Sequence, residues 1–368
     1  MILFPPRNYE LSGAKIRTKR DSTTKIHYPQ YLDYEKVVKI TERFEKADSD
    51  VVYVRHLTPN TTENRSIVAL ELHSDKLTKK PGILIIGGLN GMTWAVPNAI
   101  FEIAEKLLYD TGYQTPFFND YDWYLIPLAN PDGMHFTTKI RDLPPVDTPI
   151  WSTNFTARIG TRPSQWHKNV EKKDKESCFG TNVNRNFAYH WQDDVHKTPD
   201  RCSQFYAGAK PFSSFEAQAL KHYFNGLSDS SINLAIHLHA SFVPRKELIL
   251  YPWRFSKRQP SNYATLQAIG EYAARQARLP DGRLYEVHQS STDGRVAGSV
   301  CDYISGVVGT ELVYLVKPYF PAFPNYTDTD IIENYVNRAL TATLGLVRGW
   351  RRSTKLNTLY FFGKEIEF

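Results

Sequence analysis

Two histidines, His237 and His239, stand one residue apart at the end of the apolar segment Ile232 to His239. On a strand, residues i and i+2 share a face, so both imidazoles point the same way. His-x-His pairs of this kind can chelate zinc, and Glu311 could add a third ligand. Asn184-Arg185-Asn186 offers a guanidinium beside an amide. The planar fork of an arginine takes a carboxylate through two parallel hydrogen bonds. Cysteine chemistry is sparse: Cys178, Cys202 and Cys301 contain no CxxC pair, which speaks against a thiolate zinc knot. One bridge plus one free thiol suits a secreted protein, with Cys301 as a small buried hydrophobe. Four acceptor sequons, at Asn60, Asn64, Asn154 and Asn325, agree with that compartment.

These residues need a scaffold to hold them, and the pattern of the chain supplies one. Val51 to Leu57 and Ser66 to Leu72 alternate as strands around a Pro-Asn-Thr-Thr turn. Gly82 to Gly88 is a continuous apolar run, the signature of a strand covered on both faces. Trp94 to Leu108 has helical spacing, and Asp122 to Leu128 reads as a second covered strand. Asn130-Pro131-Asp132-Gly133 then marks a turn. Residues 140–186 form a long irregular stretch, of the kind that is functional or flexible. Beyond it we expect a helix over Ser213 to Phe224, a strand over Ile232 to His239, a helix over Tyr263 to Arg278, a strand over Val307 to Leu315 and a helix over Ile331 to Arg348. Strands alternating with helices imply an α/β fold with helices on both faces of the sheet.

Composition narrows the function classes. With 41% hydrophobic and 23% charged residues the chain is ordinary globular material. It contains no apolar run long enough for a membrane span. The net charge of +6 sits largely in the runs Lys15 to Arg20, Lys168 to Lys175 and Arg348 to Arg352. We read these as solvated faces and a basic arm. No zinc finger, RNP motif or basic helical stripe supports nucleic-acid binding. Residues 1–25 read as an N-terminal arm or the remnant of a pro-segment, with Lys19-Arg20 as a dibasic processing site. Residues 26–368 then form a single domain.

The order of motifs resembles the zinc carboxypeptidase family, the family of the digestive carboxypeptidases. The resemblance spans about residues 27–350 and rests on several segments. They are Gly87-Gly88-Leu89-Asn90-Gly91-Met92-Thr93-Trp94, Asn130-Pro131-Asp132-Gly133, Cys178 through Asn184-Arg185-Asn186-Phe187, Ala235 to His239, Leu248 to Trp253 and Gly309 to Leu312. It implies a mixed, mostly parallel twisted sheet with helices on both faces, and a bridge between Cys178 and Cys202. It places Asn90 and Thr93 where the family carries a His and a Glu zinc ligand. His239 takes the third ligand position, with His237 fitting the strand almost as well. It puts His167 and Met92 at positions of substrate-contacting arginines, and Asn182 where an Asp would orient the first ligand. Asp293 falls near a mobile tyrosine. Asn184 and Arg185 would clamp a terminal carboxylate, Val300 would set side-chain preference, and Glu311 would be the general base.

An amide and a hydroxyl are poor ligands for Zn²⁺, and one imidazole cannot hold the ion alone. The expectation is therefore a catalytically inactive, extracellular carboxypeptidase-like protein with no cofactor. It would bind peptide C-termini or a protein partner, and neither nucleic acid nor membrane. One alternative is an active metallocarboxypeptidase with a non-standard zinc site at His237, His239 and Glu311. Another is a structural or storage protein.

Overall fold

The computed structural model describes residues 30–361, apart from 76, 114–116, 142–165, 172–177, 194–198, 228–231, 280 and 322–328. The basic arm and the sequons at Asn154 and Asn325 lie outside the described residues.

Among the described residues eight strands form one mixed sheet, β1 (Val52–Leu57), β2 (Ile67–Leu72), β3 (Gly82–Ile86), β4 (Asp122–Ile126), β5 (Ile232–Leu238), β6 (Leu248–Tyr251), β7 (Glu286–Gln289) and β8 (Leu312–Lys317). Their order is β1-β2-β4-β3-β5-β8-β6-β7. The central strands β4, β3, β5 and β8 run parallel. Among the described residues seven α-helices of four residues or more surround the sheet: α1 (Tyr34–Ala47), α2 (Val96–Tyr109), α3 (Pro131–Arg141), α4 (Phe215–Gly226), α5 (Tyr263–Gln276), α6 (Val300–Tyr303) and α7 (Thr329–Phe361).

Strand β3 shows how the sequence makes two cores. Successive side chains of a strand point to opposite faces. Ile83 and Ile85 join a cluster with Phe44, Ile100, Leu266 and Ala339, from α1, α2, α5 and α7. Leu84 and Ile86 join another with Ala217, Leu220 and Tyr303, from α4 and α6. Each fully buried aliphatic side chain contributes about 1.5–3 kcal/mol. The same alternation along β5 places Leu234, Ile236 and Leu238 in the first cluster and Ala235 in the second. His237 and His239 therefore lie on the α4/α6 side.

The cleft follows from this order. Chain leaving β3 passes through α2 to β4 on one side, whereas β5 pairs with the other edge of β3. Loops leaving the carboxyl ends of β3 and β5 consequently diverge. Open α/β sheets bind ligands in the crevice at such a switch point.

Several expectations are corrected. Asn130-Pro131-Asp132-Gly133 opens α3 instead of forming an isolated turn, with Pro131 as the first helical residue, where its missing N–H costs nothing. Val307 and Val308, expected to begin a strand, instead end a wide π-type turn (Ile304–Val308) that continues α6, and β8 starts only at Leu312. Val307 and Val308 favour a strand by their branching, but tertiary context overrides that propensity. Lys168, expected in a solvated run, is fully buried: its Nζ donates to the Arg201 carbonyl at 2.6 Å and lies 5.0 Å from the Trp166 ring.

Candidate functional site

A cavity of about 230 Å³ opens at the carboxyl ends of β3, β5 and β8. Register sets its floor, since Ile86 pairs with His237 and His237 with Leu315. The chain beyond these pairs brings Asn90, His239 and Lys317 to the cavity wall, and Leu315 lines it directly. Loop residues His167, Asn182, Asn184, Arg185 and Phe205 form the opposite side, while Lys246, Arg254 and Asp293 close one end.

Asn130 sets the relative position of the first two walls. Its Nδ2 donates to the carbonyls of Leu89 and Lys168, at 3.1 Å each, and its Oδ1 accepts from the Gly133 N–H at 2.9 Å. The backbones then approach so closely that a Cβ on Gly133 would lie 2.4 Å from the Lys168 carbonyl oxygen. Asn90 and His167 are thereby held face to face, with Asn90 Nδ2 2.7 Å from His167 Nδ1. A second asparagine ties the outer loops: Asn169 Oδ1 accepts from the Thr181 N–H and its Nδ2 donates to Glu216 Oε2, both at 2.7 Å.

The imidazoles are neutral. Burial, with Arg185 and Lys317 nearby, pushes His167 down to about 4. Burial takes His237 to about 3, helped by Arg254 and Lys317, and pulls His239 well below its usual range. The charge of the cavity comes instead from Arg185, Lys246, Arg254 and Lys317, against the single carboxylate of Asp293 among the described lining residues. Asp293 lies 2.6 Å from Lys317 Nζ and 3.5 Å from Lys246 Nζ. Burial acts to raise its pKa, and the cations outweigh that and lower it.

The site residues named from sequence meet different fates. Asn90, Asn182, Asn184, Arg185 and His239 meet at the cavity, as do His167 and Asp293. Arg185 stacks over Phe205 with its guanidinium carbon 4.8 Å from the ring centre. Val300 does not line the cavity: it is fully buried, and its N–H donates to Asn184 Oδ1 at 3.2 Å. Its role is to hold Asn184. Glu311 is also elsewhere. It is exposed ahead of β8, and its carbonyl accepts from Asn262 Nδ2. Leu315 and Lys317, four and six residues further along, are β8 side chains at the cavity. The alternative zinc set of His237, His239 and Glu311 thus does not assemble. Among the described residues no group of three or more His, Cys, Asp or Glu side chains is placed to hold a metal ion.

Thr93 is buried with its hydroxyl donating to the Asn90 carbonyl at 2.7 Å. Asn90 spends its amide nitrogen on His167, and its Oδ1 is buried without a partner. A zinc ion would find the imidazoles of His239 and His167, the latter already bonded to Asn90, a neutral amide, surrounding cations and a single carboxylate committed to Lys317, so this donor set does not fit zinc. Cys301 is buried, 3.9 Å from His237 Nδ1. Burial raises its pKa as it lowers that of His237, so the two form a neutral pair and not a thiolate nucleophile. The Cys178–Cys202 bridge forms, and the free thiol is Cys301. Asn60 and Asn64 are exposed, bonded to each other at 2.9 Å. No described helix is long and apolar enough to cross a membrane.

Sequence reasoning missed Lys246, Arg254, Phe205, Leu315 and Lys317. One signal was available, because Lys317 is a lone charge closing the apolar run Leu312 to Val316.

A larger cavity of about 480 Å³ lies between β1, β2 and α4. Its polar groups satisfy one another: Arg55 pairs with Glu71, Tyr223 donates to Glu71, and His73 lies 3.0 Å from Asp122.

Comparison with known proteins bears on the cleft. The sequence pattern of the family described as zinc carboxypeptidase matches residues 37–320. Carboxypeptidase B of Astacus astacus is 26% identical over 65% of this chain and 70% of its own length. The inactive metallocarboxypeptidase ECM14 of Saccharomyces cerevisiae is 26% identical over 75% of this chain and 61% of its own length. Zinc carboxypeptidase A 1 of Drosophila melanogaster matches over 53% of its length, so the chain spans only part of these relatives. In fold, bovine thrombin-activatable fibrinolysis inhibitor superposes with a TM-score of 0.72 at 19% identity, over 88% of this chain and 99% of the other. The carboxypeptidase A of Helicoverpa armigera gives 0.71 at 20% identity, over 91% and 76%.

Proposed function

The chain belongs to the zinc carboxypeptidase family, and from that premise we propose that it holds peptide carboxyl termini in the family's cleft without cleaving them. The observation that carries this reading is the wall of the cavity itself. Asn90 and Leu315 line the wall with His239, and the Thr93 hydroxyl is spent on the Asn90 carbonyl, where hydrolysis would need a metal-bound water and a base to activate it. Arg185, Lys246, Arg254 and Lys317 repel a divalent cation and attract a carboxylate. Asn184 and Arg185 remain at the wall, positioned by the Val300 N–H and the Phe205 ring, to receive a terminal carboxylate. The yeast relative named as inactive supports the same direction.

The protein is proposed to act outside the cell, on the strength of the Cys178–Cys202 bridge and the exposed sequons Asn60 and Asn64.

Two measurements test the reading together. Protein purified in the presence of zinc should carry far less than one equivalent by elemental analysis, and should release no terminal residue from peptides. Calorimetry with a peptide bearing a free carboxyl terminus should give saturable heat that is lost on amidating the peptide and reduced about tenfold or more by Arg185→Met. One tightly held zinc together with released amino acid would overturn it.

A further inference from the structure

We propose that the cleft selects ligands with two carboxylates, and specifically peptides whose last residue is acidic. This rests on the reading of the cavity as an end-binding site and adds a side-chain preference to it.

The argument begins with charge. Four cationic side chains and one carboxylate line about 230 Å³ among the described residues. One terminal carboxylate at Asn184 and Arg185 leaves most of that positive charge unanswered. The cavity is smaller than the usual range for ligand pockets, so it admits a single residue-sized group and not a long segment. Both anionic groups must then come from one residue.

The second carboxylate has a place to go. Lys317 and Lys246 already hold a carboxylate, that of Asp293, at 2.6 and 3.5 Å. The protein therefore contains within its own wall a working example of the interaction. Beside it, Arg254 makes no ion pair within 4 Å to a described residue. Its Nε reaches the Gly294 carbonyl at 3.4 Å, a long contact that leaves the guanidinium's other two nitrogens available. The buried carboxylate nearest its backbone, Asp302, is occupied: it accepts from the N–H groups of Arg254 and Phe255 at 3.0–3.1 Å. The fork of Arg254 thus faces a cavity in which Asp293 is committed to the lysines. A carboxylate entering there meets a half-buried guanidinium, where charge-assisted bidentate bonds are strong. A lysine or arginine side chain would meet three cations instead. Phe205 and Val243, both more than half exposed at the cavity, supply an apolar rim for the residues that precede the terminus.

Isothermal calorimetry at low salt tests this on the intact chain. The probes are N-acetylated tetrapeptides identical except for a final Glu, Leu or Lys, the Glu peptide as its C-terminal amide, and free N-acetylglutamate. We expect the Glu peptide to bind about tenfold or more tightly than the Leu peptide. The Lys peptide should bind most weakly, and amidation should weaken the Glu peptide. Arg254→Met and, separately, Lys317→Met should collapse the Glu-to-Leu ratio toward one, with thermal melts confirming that each variant folds. Equal binding of Glu and Leu peptides, with amidation still weakening the Glu peptide, overturns the acidic preference and leaves end-binding intact. Binding of N-acetylglutamate with no binding of any peptide supports the two-carboxylate chemistry and refutes its peptide source. Failure of every probe overturns both.

Discussion

Glu216 offers a quantitative test of how the cleft is held. It is fully buried in the first turn of α4, and its Oε2 accepts from Asn169, which also accepts from the Thr181 N–H. The carboxyl therefore stands behind both loops that carry His167 and Arg185. Burial pushes its pKa from 4.5 up to about 8, opposed by the Asn169 hydrogen bond. Below pH 4.5 folded and unfolded chains both keep this proton, and the group has no effect. Between 4.5 and 8 the unfolded chain has released it and the folded chain has not, so stability falls as pH rises, by about 1.4 kcal/mol per unit. Above 8 the penalty is constant. At pH 7 it amounts to about 3 kcal/mol. A glutamine keeps an oxygen for Asn169 and never ionises. Its second hydrogen-bonding group costs about 1–3 kcal/mol if left unpaired, but that cost is the same at every pH. His167 and His237, with depressed pKa values, act oppositely and add stability as pH rises toward 6.5. They are present in both proteins and cancel in the difference. Urea denaturation of wild type and Glu216→Gln at pH 5, 6, 7 and 8 should show the variant gaining about 1.4 kcal/mol per unit relative to wild type. A difference that does not change with pH would refute the reasoning.

Two further outcomes follow from buried or covalent ties. Asp132 is fully buried and accepts from Arg65 Nη1, Thr61 Oγ1 and the Glu63 N–H, at 2.8–3.0 Å. Asp132→Ala should cost about 3–5 kcal/mol in denaturant unfolding, because it leaves Arg65 with only the exposed Glu63 carboxylate and strips the Thr61 hydroxyl and the Glu63 N–H of their acceptor. Cys178 and Cys202 close a loop with a sequence separation of 24, and the double serine variant should lose about 3.5 kcal/mol by the chain-entropy relation, measured against wild type without reductant.

The fold was legible because its strongest signals are local. The run Ile83 to Ile86 is apolar without a break, and only a strand covered on both faces asks for that. The Asn130-Pro131-Asp132-Gly133 segment was recognised but misread as a turn, since what it builds is a set of bonds from Asn130 to Leu89 and Lys168, far away in sequence. Helix α1 escaped notice although Asp33 caps it in the ordinary way, accepting from the Lys36 N–H. Its buried face is only Val37, Ile40, Thr41 and Phe44, too thin a stripe to stand out among charged neighbours. Lys168 shows the limit of reading charge runs: nothing local tells a solvated lysine from one whose ammonium finds a carbonyl inside the protein.

The misplacement of Glu311 has a physical origin that also explains the missed cations. The resemblance of Gly309 to Leu312 put Glu311 at the general-base position, yet a parallel sheet presents its crevice at the carboxyl ends of its strands. Since β8 runs from Leu312 to Lys317 beside β5, the pairing of His237 with Leu315 sets what can reach the cavity. Glu311 precedes that pair by four residues, about 13 Å of extended chain. No rotamer brings its carboxylate to His239. Lys317 lies beyond the pair and does reach. The sheet's direction thus puts the Lys317 ammonium, and not the Glu311 carboxylate, at the cavity.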